Sequence, residues 1–154
     1  MSSVTQRNPV RLFVCHVWSA DEDYFRVFEY LESSTNFFYR NTSTPDKRPT
    51  GDREVLREDL RKQISEAEVV ILPASLYRRN VDWVEFQVHC AKAFDKPMVL
   101  LEPFGGSDTI APAVQELADE VVPWDQRQLV DAVKRQARHE ETTRFDTIEF
   151  KLDD

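Results

Sequence analysis

Two cysteines, three histidines and three glycines in 154 residues remove several chemistries at the outset. Cys15 and Cys90 are too few and too far apart for a disulfide framework or a zinc knuckle. Each lies in an apolar run and reads as a buried free thiol. His16, His89 and His139 are scattered without metal-ligand spacing, so neither a metal nor a resident cofactor is expected. No apolar run reaches the length of a membrane span, and mean hydropathy is -0.53. The opening MSSVTQRNPV lacks the basic start and apolar stretch of a signal peptide, which points to a cytoplasmic protein. A net charge of -8 supplies no surplus of Lys and Arg to meet phosphates, so a general nucleic-acid binder is not expected either.

What is present is a regular alternation. Arg11-Leu12-Phe13-Val14-Cys15-His16 is a short β-rich run, followed by Ser19 and three acids, which predict an N-cap at Ser19 and a helix to about Glu32. Residues 36–39 predict an aromatic second strand. Residues 40–53 carry turn chemistry, in a loop longer than a simple connection requires. Residues 54–66 form a charged amphipathic helix with Val55, Leu56, Leu60 and Ile64 on one face. The stretch 68–101 then reads as strand, loop, helix and strand, with the helix opening at Asp82-Trp83-Val84. Beyond it come a short helix at 111–117, a strand at 120–124 and a helix at 126–138. Residues 1–10 read as an N-terminal tail, 11–138 as one domain and 139–154 as a C-terminal tail. Within that tail, 146–152 alternates strictly, as an extra edge strand or a pairing segment would.

Strands alternating with helices in this way predict an α/β fold, a flavodoxin-like three-layer sandwich on a five-stranded, mainly parallel sheet. Its usual chemistries find no residues here. The loop after the first strand is bulky and acidic where a flavin phosphate would need Ser, Thr and Gly. Cys15-His16 and Pro73-Ala74-Ser75 supply none of the acids of a phospho-receiver. GxGxxG and P-loop motifs are absent. Ser75 with His16 suggests a hydrolase, but no GxSxG elbow accompanies them.

A resemblance accounts for more of the chain. Phe13-Val14-Cys15-His16 with Ser19-Ala20-Asp21-Glu22-Asp23 resembles the opening strand and loop of TIR domains. Phe37-Phe38-Tyr39-Arg40-Asn41-Thr42-Ser43 is similar to the second strand of the prokaryotic TIR-like group that includes the Thoeris anti-phage proteins. Leu60-Arg61-Lys62-Gln63-Ile64, Ala67-Glu68-Val69-Val70-Ile71-Leu72, Trp83-Val84, Ala91-Lys92, Lys96-Pro97 and Val122-Pro123-Trp124 continue the likeness in order. The resemblance implies cleavage of the nicotinamide–ribose bond of NAD, here a substrate and not a cofactor. It further implies an ADP-ribose-derived, cyclic messenger for a downstream effector, with self-association through TIR surfaces. It places the nucleotide among His16, Trp18, Ser19, Tyr39, Asn41, Ser43, Ser75 and Trp83. The family's catalytic glutamate follows a W-[VC]-x-x-E pattern, which falls on Gln87 in this chain. Glu85 is a poor substitute, since it lies about 200° around the helix from Gln87 at roughly 100° per residue. The alternative expectation is therefore a catalytically impaired module that binds a nucleotide or a protein. A deoxyribosyltransferase-like enzyme, which also keeps a glutamate on this helix, meets the same objection.

Overall fold

The computed structural model of the chain describes residues 4–19, 21–105 and 110–139. Five parallel strands, β1 (Val10–Val14), β2 (Tyr39–Asn41), β3 (Val69–Pro73), β4 (Met98–Leu101) and β5 (Glu120–Val122), stand in the order β2-β1-β3-β4-β5. Among the described residues six helices connect or cover them: α1 (Glu22–Glu32), α2 (Arg53–Ser65), α3 (Ala74–Arg79), α4 (Val81–Ala93), α5 (Pro112–Leu117) and α6 (Gln126–Arg138). This is the expected flavodoxin-like α/β sandwich, with a sheet that is parallel throughout.

The strands separate two hydrophobic cores by the period-2 alternation of their side chains. Val69 and Ile71 of β3 join Leu12, Val14, Val99 and Leu101 beneath α1 and α6. Val70 and Leu72 join Phe13, Met98 and Leu100 beneath α2 and α4, against Leu60, Ile64, Val84 and Val88. Because both faces are covered, β3 and β4 are apolar at every position, the usual composition of buried parallel strands. Cys15 and Cys90 are free and buried, as their apolar surroundings predict.

Local boundaries depart from the sequence reading in three places. The N-cap position of α1 is Asp21, not Ser19, and its side chain makes no cap bond; its carboxylate accepts from Arg79 Nη2 at 2.7 Å instead. β2 lies three residues later than its aromatic centre, because the register pairs Val10 with Tyr39 and Leu12 with Asn41. Phe37 goes into the core ahead of the ladder. The segment after β3 is not a loop: α3 begins at once and Asn80 separates it from α4. The remaining limits agree within two residues. Asp52 caps α2 through a bond from Val55 N at 3.1 Å, a contact worth about 1 kcal/mol. The alternating stretch 146–152 lies outside the described residues.

One ion pair fastens the strand-start end of the sheet. Glu68, just before β3, accepts from Arg138 of α6 through both oxygens, at 2.5 and 2.8 Å, and from the Arg11 amide at 3.0 Å. Burial works to raise the Glu68 carboxyl, but the Arg138 and Arg11 bonds and charges outweigh it and hold it below its ordinary value. Replacing Glu68 with Gln removes the carboxylate that meets the buried Arg138 guanidinium through both oxygens. Glu68→Gln should lower unfolding stability by about 3 kcal/mol in a urea titration.

Candidate functional site

Open parallel sheets bind ligands beyond the carboxyl ends of their strands, where the strand order reverses. In this sheet that point lies between β1 and β3. The last ladder bond there runs from Cys15 N to Ile71 O, at 3.0 Å. His16 therefore leaves the sheet with its own N–H and C=O unpaired by any strand. Gln87 of α4 supplies both partners: its Oε1 accepts from His16 N at 3.1 Å and its Nε2 donates to His16 O at 2.8 Å. The second Nε2 hydrogen goes to Trp83 O at 3.1 Å. With 0% exposure, Gln87 is a fully buried amide standing in for a neighbouring strand.

The His16 ring continues the network downward. Nδ1 accepts from Trp18 N at 3.2 Å, which puts the proton on Nε2, and Nε2–H then donates to Gln63 Oε1 at 2.9 Å. That oxygen also accepts from Thr44 N at 3.0 Å, while Gln63 Nε2 donates to Asp59 at 2.7 Å. Thr42 Oγ1 donates to Gln63 O at 2.9 Å. Two glutamines thus tie the end of β1 to α4, to α2 and to the loop after β2. His16 is 2% exposed, so it lies beneath the site and does not line it. Burial depresses its pKa below the ordinary 6.5, against the opposing effects of the Gln63 bond and of Asp59 and Asp46.

Above this network lies a cleft of about 660 Å3, with Trp18, Ser19, Asn41 and Ser43 in its lining together with Tyr24, Asp46 and Arg48. Phe25, Phe28 and Pro45 give it an apolar side, and Phe25 is 54% exposed at its surface. Three of the polar groups form a closed ring. Asn41 Oδ1 accepts from Ser43 N at 2.9 Å, which orients the amide. Ser43 Oγ then donates to Asn41 Oδ1, Asn41 Nδ2 donates to Tyr24 Oη at 3.1 Å, and Tyr24 Oη–H donates to Ser43 Oγ at 2.8 Å. Burial raises the Tyr24 pKa, with the Ser43 and Asn41 bonds working against it, and the phenol keeps the proton it donates. What the ring leaves over for recognition is the second amide hydrogen of Asn41, the Asp46 carboxylate, the Arg48 guanidinium and aromatic surface.

The other sequence-derived candidates do not line this cleft. Tyr39 donates to Glu32 at 2.9 Å, and burial together with that carboxylate raises its pKa. Ser75 donates to Asp23, which also takes Arg26, and both nitrogens of His16 are engaged elsewhere. The Ser75–His16 pair of a hydrolase is therefore not formed. Trp83 lines a separate cavity of about 310 Å3 with Arg53, Arg79, Asn80 and Asp82. Glu85 is exposed, on the far side of α4, and accepts from Tyr77 at 3.2 Å. Among the described residues no group of His, Cys, Asp or Glu could hold a metal ion, and no helix is long and apolar enough to cross a membrane. Tyr24, Asp46 and Arg48 are the site residues that sequence reasoning passed over. The long loop at 40–53 was the available signal for the last two.

No protein-family model matches the chain, and no curated protein matches it.

Two outcomes follow from the buried network. A glutamate at 87 cannot donate to His16 O and Trp83 O, and its charge would face two carbonyl oxygens. Gln87→Glu should cost on the order of 3 kcal/mol of stability by chemical denaturation. The second concerns pH. His16 binds its proton less readily folded than unfolded, so its contribution is complete above 6.5 and is lost as pH falls below that value toward the folded pKa. Denaturation midpoints measured across this window should decline more steeply for the native chain than for His16→Gln. The difference is bounded by one proton, about 1.4 kcal/mol per pH unit.

Proposed function

We propose that this chain is a TIR-like module of prokaryotic anti-phage signalling, of Thoeris type, that binds NAD or a related nucleotide in the Trp18–Arg48 cleft and is impaired in cleaving it. The observation that carries this reading is the state of Gln87. Loss of nicotinamide leaves a ribosyl cation at C1′, which a carboxylate stabilises by charge. Gln87 is neutral, and every hydrogen-bonding direction of its amide that the network uses is directed at backbone. It braces the wall of the site and offers nothing to a reacting ribose. Losing a positioned charge of this kind costs on the order of 10²–10³ in rate, whereas binding through aromatic faces and a guanidinium does not depend on it.

A second reading keeps the enzyme, with production of an ADP-ribose-derived messenger for an effector. Asp46 favours it, as the carboxylate that lines the cleft. Self-association through TIR surfaces is compatible with either reading.

Calorimetric titration with NAD, together with chromatography of released nicotinamide, separates the two. The binding module should take up NAD and release no nicotinamide, alone or with a phage-infected lysate. Arg48→Ala should weaken uptake by about tenfold, the usual effect of losing a charge-assisted contact. Turnover by the native chain that disappears in Asp46→Asn would transfer the proposal to the enzyme reading. Absence of NAD uptake would remove the nucleotide from it.

A further inference from the structure

Trp18 lines the cleft, Trp83 lines the smaller cavity, and the two rings touch. Trp18 packs against Trp83 edge to face, with centroids 5.5 Å apart and planes at 90°. We propose that Trp18 is a movable partition whose rotation away from Trp83 joins the two spaces into one trough.

Three independent features of Trp18 support this. Its φ is 57°, in the left-handed region that a side chain bearing Cβ enters only at a cost. Its indole Nε1 is buried and finds no hydrogen-bond partner among the described residues, a state that folded proteins rarely leave uncompensated. Its ring is held through π contacts, edge-on to His16 at 5.4 Å and to Trp83, with the Arg48 guanidinium 5.4 Å from its centroid. Trp124 is the contrast within the same chain: its Nε1 donates to Glu102 O at 2.7 Å. Turning the Trp18 ring outward gives its N–H an acceptor in water. The closed position thus leaves a buried donor unmet that the open position satisfies. Ser19, the next residue, is already exposed.

The trough so formed would carry Asp46 and Arg48 at one end and Arg53 and Arg79 at the other. It would admit a ligand longer than either space alone. The partition stands whichever ligand the cleft takes, so its test uses the ligand-free chain.

Relaxation dispersion on the full chain with ¹⁵N-labelled indoles tests it, with Trp18 assigned by the resonance lost in Trp18→Phe. The Trp18 indole should show exchange on the microsecond-to-millisecond scale while Trp124 gives a flat profile. A flat Trp18 profile would overturn the proposal. Thermal midpoints give a second reading independent of assignment. Trp18→Gly removes the strain together with the ring and should shift the midpoint by less than about 2 °C, whereas Trp83→Ala should lower it by more than about 5 °C. A loss in Trp18→Gly as large as that in Trp83→Ala would identify Trp18 as a fixed core residue and end the proposal.

Discussion

The pairing of the Gln87 amide with both backbone groups of His16 is the constraint on which the site depends. A parallel sheet runs out of ladder partners at the ends of its strands, and the chain must still leave without orphaned buried donors and acceptors. In this fold a side chain closes that gap. An amide serves, because the position accepts once and donates twice. The His16 ring is oriented in consequence, and through Gln63 its orientation is passed to Thr42 and Thr44. The residue at the position where the proposed kinship would put an acid is therefore a structural member.

This arrangement separates two tasks that a catalytic glutamate would have to combine. Such a residue needs one face toward solvent-accessible substrate and a charge held ready. Gln87, at 0% exposure, has neither. The chemistry left to the cleft is carried by residues outside the regular elements, Asp46 and Arg48, which lie on the loop that Gln63 anchors. The loop that carries the charges of the cleft is thus fastened to the scaffold at α2.

The architecture was legible in the sequence to the extent that burial wrote it there. Val69–Pro73 and Met98–Leu101 are enclosed on both faces, so each is an apolar run that permits little else. β2 was misplaced because an edge strand of three residues, two of them exposed, leaves no apolar signature, while the aromatic cluster beside it does. α3 escaped notice because six residues hold too few turns for a period to show. Helical spacing sets Gln87 on the opposite side of α4 from the exposed Glu85, yet its role could not be read from it. That role is set by two backbone groups of His16, 71 residues away in the chain, whose lack of a strand partner is a fact of topology. The long loop after β2 was recognisable as more than a connection; which of its side chains face the cleft was not.

The ring of Asn41, Tyr24 and Ser43 has a consequence of its own. Because Ser43 N holds Asn41 Oδ1, the hydrogen bonds around the ring can run in one sense only. Proton order in the cleft wall is therefore frozen by backbone, and the wall has a permanent polarity. The amide hydrogen of Asn41 that the ring leaves over is a donor, so any group set against it has to be an acceptor. A carbonyl or ether oxygen satisfies that rule and an ammonium does not.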